Sequence, residues 1–194
     1  MSSLNPGQAP AEPPFLSDVK TLRERAKRQI EKGAVTDTYE GDVARTIEIL
    51  QSVLATELVC WLRYTQHSIM ATGLASESVK SEFATHAGEE QGHAMEVAER
   101  INQLGGEPDL DPSHLTGRSA SEYETGDDIV EMIRENLVAE RIAVDHYREL
   151  IRYFGDDDPA TKVMLQRILA VEEEHTNDMH DLLMAHEGHP MLQK

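Results

Sequence analysis

The chain has 194 residues, enough for one domain with some length to spare, and its 28% charged and 39% hydrophobic residues suit an ordinary globular protein. Thirty-six acidic residues against eighteen basic give a formal charge of −18, a surface that repels nucleic acid and attracts cations. A single cysteine, Cys60, excludes an internal disulfide framework, no apolar run is long enough to span a bilayer, and the N-terminus lacks the basic-then-apolar order of a secretory signal, so a cytoplasmic protein is expected.

Residues 1–16 hold Pro6, Pro10, Pro13 and Pro14 without apolar periodicity, the pattern of a tail. Residues 17–32 read as a short helix capped by Ser17 and stopped at Gly33. It carries six basic residues against three acidic, a net +3 in a chain otherwise at −21. So small an excess makes few phosphate contacts, and a solvated surface helix is the simpler reading; an arm touching DNA or a partner is the alternative. Four longer helices follow, over 42–72, 77–104, 127–154 and 158–186. Gly73, Gly105-Gly106, Gly155 and Gly188 stop them, and Asp158-Pro159 opens the last with a cap followed by proline. Each spans roughly 28 residues, or about 40 Å. Short links make neighbours antiparallel, whereas the long link 105–126 must run the length of the molecule. The expected architecture is all-α: an antiparallel four-helix bundle over 41–188 with one long crossover, preceded by a tail and basic helix over 1–40 and followed by a tail over 189–194.

The informative residues are acids on apolar faces. Glu57 has Leu50, Val53, Leu54, Trp61 and Tyr64 at helical offsets, and Glu140 has Ile133, Leu137, Ala143, Val144 and Tyr147. Glu90 lies among Phe83, Ala87, Ala94 and Val97, and Glu172 among Leu165, Ile168, Leu169 and Met179. A buried, unpaired carboxylate costs several kcal/mol, and four together repel one another, so something must compensate. Glu90 and Glu172 each carry a histidine three residues on, His93 and His175, which puts acid and imidazole on one face one turn apart. One glutamate from each of two helices plus Glu-x-x-His from each of the other two is the ligand set of di-iron or di-manganese carboxylate bundles. Four carboxylates and two divalent cations are near neutral together, and the oxygen-rich set with two imidazoles suits iron or manganese. The order repeats: 33 residues separate Glu57 from Glu90, and 32 separate Glu140 from Glu172.

Ala55-Thr56-Glu57-Leu58 with Tyr64 one heptad on, Glu89-Glu90-Gln91-Gly92-His93-Ala94, Ala139-Glu140 and Glu172-Glu173-Glu174-His175 resemble the bacterioferritin branch of the ferritin-like superfamily, over about residues 45–183. The resemblance implies that Glu57 and His93 bind one iron, Glu140 and His175 the other, with Glu90 and Glu172 bridging, and that Tyr64 stands close behind the site; plain core packing is its other reading. Gln91 occupies the position of the family's haem-ligating methionine, so haem in the usual place is not expected. The chain after Glu187 is too short for the family's fifth helix, which favours a 12-subunit, Dps-like shell over a 24-subunit one. Dps proteins build their site between subunits from other residues, and that pattern is not followed here, although the N-terminal tail and helix resemble a Dps-like decoration.

The resemblance thus implies a ferroxidase: two Fe(II) per subunit, oxidised by O2 or H2O2 and stored as Fe(III) in a homo-oligomeric shell, for iron storage and detoxification. The alternatives are a di-manganese catalase-like or other di-metal oxidase, and a DNA-protecting shell acting through the basic helix. Several residues take plainer roles. Cys60 reads as a small buried hydrophobe. His86, one turn before Glu90, could extend a metal path but reads better as a surface or partly buried histidine, and His146, His180, His186 and His189 lack partners at ligand spacing. Met70, Met95, Met132, Met164 and Met179 read as core, as does Ile69 on the stripe of the first long helix.

Overall fold

The computed structural model describes residues 16–28, 30–72 and 76–187. Residues 1–15 of the expected tail over 1–16, the stops at Gly73 and Gly188, His189 and the final tail lie outside the described residues. The chain divides into two compact units, Met1–Thr38 and Tyr39–Lys194.

In the first unit, α1 (Val19–Ala26) is capped by Asp18, whose Oδ1 accepts from the Lys20 and Thr21 amides at 2.9 and 3.0 Å. The cap is therefore Asp18 rather than Ser17, because a carboxylate is the stronger acceptor at a positively polarised helix end. The helix is also shorter than expected. It gives way to a 3-10 turn, Ile30–Lys32, and buries no residue, so no packed face extends it.

The second unit is built on α2 (Val43–Met70), α3 (Glu77–Gln103), α5 (Ile129–Phe154) and α6 (Pro159–His186), with no strand among the described residues. Asp42, Asp128 and Asp158 cap α2, α5 and α6 through their carboxylates. Leu50, Leu54, Ile101, Ile133 and Leu165 are fully buried, each contributing roughly 1.5–3 kcal/mol over an exposed side chain. A second apolar layer gathers Phe83, Val79, Met132 and Met179 near Tyr64. Met132, Met164 and Met179 are core as expected, but Ile69, Met70 and Met95 are exposed. Met95 follows the buried Ala94 and lies outside the arc that faces the other helices, and Ile69 and Met70 stand on the final turn.

The crossover carries a helix that periodicity did not announce, α4 (Pro112–Arg118), only seven residues long. It is fastened along α2 by a polar stripe. Gln51 bonds the Glu107 carbonyl (2.7 Å) and the Asp109 amide (3.0 Å). Ser52 bonds the Arg118 carbonyl at 2.8 Å, Thr56 accepts from the Ala120 amide at 2.9 Å, and Arg63 reaches the Glu122 carbonyl at 2.8 Å. Both numberings rise together, so the crossover runs parallel to α2. It then turns at Gly126, whose φ of +62° and whose missing Cβ, which would meet the Met132 amide nitrogen at 2.8 Å, make glycine the fitting residue there.

Candidate metal centre

All four acids singled out by periodicity are buried, each 1% exposed, and their two histidines are nearly so. They come from α2 (Glu57), α3 (Glu90, His93), α5 (Glu140) and α6 (Glu172, His175) and meet at one level of the bundle. His93 Nδ1 lies 3.3 Å from Glu57 Oε2, 3.7 Å from Glu90 Oε2 and 2.9 Å from Glu172 Oε1. His175 Nδ1 lies 3.5 Å from Glu90 Oε1, 3.9 Å from Glu140 Oε2 and 3.8 Å from Glu172 Oε2. The six therefore form two interlocked groups, Glu57–Glu90–His93–Glu172 and Glu90–Glu140–Glu172–His175, with ligand atoms within 4.8 Å of one another in each. Glu90 and Glu172 belong to both.

The donors are directed inward and are poorly satisfied by one another. Glu57 Oε2, Glu90 Oε1, His93 Nδ1, both Glu172 oxygens and His175 Nδ1 are buried without a hydrogen bond of good geometry among the described residues. Leaving such an atom unmade costs about 1–3 kcal/mol each, which is hard to explain in a core unless a cation uses the lone pairs. The set fits two divalent cations in number, charge and hardness.

Electrostatics point the same way. Burial and the neighbouring Glu90 charge push Glu57 up to about 8, and they raise Glu140 and Glu172 as well. Burial also acts to raise Glu90, but the adjacent His175 and His93 imidazoles outweigh it and hold that carboxyl below its usual range. Burial acts to lower both imidazoles. The carboxylates around them outweigh it, taking His175 up to about 9 and His93 higher still. Protons therefore do, in part, what cations could do better.

Hydrogen bonds from behind orient the donors. The Tyr64 hydroxyl donates to Glu140 Oε1, and the Tyr147 hydroxyl donates to Glu57 Oε1 at 2.7 Å. Burial, then the adjacent carboxylate, raises both phenols well above their usual value and keeps them as donors. His175 Nε2 meets Glu89 Oε2 at 2.8 Å, which leaves Nδ1 facing the cluster. Sequence reasoning passed over Tyr147 as core. The signal was present, since it follows Glu140 by seven residues just as Tyr64 follows Glu57. It also passed over Glu89.

His86 is a correction. It is 1% exposed rather than on the surface, its ring stacks on that of His175 at 3.9 Å, and its Nδ1 is 3.2 Å from the Tyr64 hydroxyl. Its neighbours Ala84, Thr85, Gly88 and Glu89 are exposed, and its own burial comes from His175 of another helix. Cys60 is buried as expected, with Arg63 Nη2 at 3.6 Å from its sulfur. Arg63 is itself buried, spending Nε on Asn136 at 2.9 Å, and Asn136 in turn bonds His67 at 3.0 Å.

Four helices, one crossover and a shared acid-imidazole cluster define the ferritin-like class. Residues 47–187 match the ferritin family as a ferritin-like domain, and the chain belongs to that family. It is 31% identical to the bacterioferritin-related protein of Bacteroides fragilis, titled a dodecameric thioferritin, with a TM-score of 0.73 over 79% of this chain and 94% of that one. A ferritin-like di-iron-carboxylate protein from Bacillus anthracis is 25% identical with a TM-score of 0.64, covering 73% of this chain and 96% of that one. Among curated proteins, a DNA protection during starvation protein from Pyrococcus furiosus is 29% identical over 84% of this chain and 86% of its own length. No helix among the described residues is long and apolar enough to cross a membrane.

Proposed function

We propose that the chain is a ferroxidase whose dinuclear centre lies inside each bundle. Glu57 and His93 hold one Fe(II), Glu140 and His175 hold the other, and Glu90 and Glu172 bridge them. The observation that carries this is the sharing of Glu90 and Glu172 between two donor groups whose inward lone pairs are otherwise unsatisfied. Iron is here the substrate. Two Fe(II) ions give up one electron each, and the pair reduces O2 with two protons to H2O2, or H2O2 with two protons to water.

The chain's own residues bind and position. Tyr64 and Tyr147 fix the outer oxygens of Glu140 and Glu57, so the other oxygen of each carboxylate faces inward. Glu89 fixes the tautomer of His175. The apolar wall excludes bulk water and strengthens every charge interaction inside. The Fe(III) product then enters a homo-oligomeric shell, a reading supported by the dodecameric thioferritin of Bacteroides fragilis, and the cytoplasm suits a chain whose one cysteine is buried and free.

Replacing Glu90 and Glu172 together by alanine should abolish rapid ferrous oxidation in stopped-flow absorbance. Helical content should survive, because Glu57 beside His93 and Glu140 beside His175 still balance the two imidazoles. Undiminished oxidation in that variant would refute the centre. One observation favours a second reading, a DNA-protecting shell: the Pyrococcus furiosus relative is named for that role. The −18 charge opposes it, and a gel shift at moderate salt, with and without residues 1–33, decides it. Metal analysis with a peroxide dismutation assay separates the di-manganese alternative.

A further inference from the structure

Outside the six inner donors, Glu82, His86 and Asp178 form another group whose ligand atoms lie within 4.8 Å of one another. His86 Nε2 is 3.4 Å from Glu82 Oε1 and 3.6 Å from Asp178 Oδ2. The two carboxylates are partly exposed, 38% and 43%, whereas the imidazole between them and the inner cluster is 2% exposed. Glu89 stands close enough to act on both acids, and Glu174 and Asp181 act on Asp178, so carboxylates outnumber the one opposing imidazole, His175, on this side.

The tautomer of His86 follows from its other edge. A ligating Glu140 carboxylate can only accept, so Tyr64 donates to it, and the Tyr64 oxygen then accepts from His86 Nδ1–H. That leaves the Nε2 lone pair directed at two carboxylates. Three electron-pair donors facing one another repel until a positive charge stands among them. One imidazole and two carboxylates suit the same hard-to-borderline divalent ions as the inner centre. His86 also has a nitrogen within 4.8 Å of ligand atoms of Glu140 and His175, so one ring touches both groups.

The geometry points to a third cation site, Glu82–His86–Asp178, at the outer face of α3 and α6. It is a waystation that takes Fe(II) from solvent and passes it to the dinuclear centre. The inference rests on that centre as the destination. An acidic rim raises the local concentration of cations, and the weak three-donor set lets go of the ion more readily than the six donors inside.

The test uses the full-length protein and Co(II), which binds without being oxidised. Crystals grown with Co(II) should show three anomalous peaks per chain, two among the six inner ligands and one beside His86 Nε2. In the variant Glu82→Gln/Asp178→Asn, both positions being partly exposed, the outer peak should vanish and the inner two remain. The same variant should oxidise substoichiometric Fe(II) about tenfold more slowly, with a change below about twofold at saturating Fe(II). Two inner peaks in the wild type with none at His86 would overturn the waystation and leave the dinuclear centre standing. An outer peak that persists in the variant would overturn the ligand assignment. Absence of the inner peaks would remove the dinuclear reading and this one with it.

Discussion

Arg63 shows how much one side chain contributes behind the cluster. Its guanidinium is buried and divides its donors among Asn136, the Glu122 carbonyl and the Cys60 sulfur. It also lies in the field of Glu140 and Glu90, where its fixed charge offsets part of theirs. Arg63→Leu removes the donors and leaves the buried Asn136 Oδ1 without its partner and Glu140 and Glu90 without the offsetting charge. The expected cost is about 2–4 kcal/mol, seen as a fall of roughly 5–15 °C in the calorimetric midpoint of the metal-free protein. Arg63 resembled an ordinary exposed arginine in the sequence, since its partners lie 59 and 73 residues away. The four glutamates were legible for the opposite reason. They break the apolar rule of their own helix faces, and that conflict needs no distant partner to be noticed. His86 had no such local signal, because its burial comes from stacking on His175 of another helix.

At the scale of elements, Asp158 joins three pieces of the bundle. It caps α6 through Thr161, accepts from Arg100 of α3 at 2.8 and 3.0 Å, and accepts from Tyr39 at 2.8 Å. Burial acts to raise this carboxyl, but Thr161, Tyr39 and Arg100 outweigh it and hold it ionised. Asp158→Ala strands the Arg100 charge and uncaps the helix, so a loss of about 3 kcal/mol or more is expected in urea unfolding, with asparagine recovering part of it through the cap. The four long helices were readable from period and punctuation to within about two residues. The crossover was readable only as a length. Its anchors Gln51, Ser52, Thr56 and Arg63 form a polar stripe that periodicity assigns to solvent, and α4 is too short to show a period.

For the whole molecule, metal affinity must depend on pH, and the sign follows from the cluster. Glu57 and His175 hold protons up to about 8 and about 9 without metal, and ligation requires those protons to leave. Affinity should therefore fall as pH drops below these values, by up to about tenfold per pH unit for each proton displaced. Co(II) titration calorimetry in two buffers of different ionisation enthalpy counts the protons; a pH-independent affinity between about pH 6 and 8 would contradict the assignment. The native assembly should weigh about 260 kDa by native mass spectrometry if twelve chains of 21.7 kDa form the shell, with residues 1–38 and 189–194 tested as dispensable by truncation.

The two glutamate-histidine halves stand on separate hairpins, α2–α3 and α5–α6, and each supplies three of the six donors. Ions held between them act as a rivet through the midline of the bundle. Since the folded chain alone offers that geometry, each bound ion adds to stability in proportion to the logarithm of its concentration over its dissociation constant. On the proposed ferroxidase reading, iron supply would thereby be registered as mechanical tightness, a loaded subunit holding its two hairpins more firmly together than a starved one.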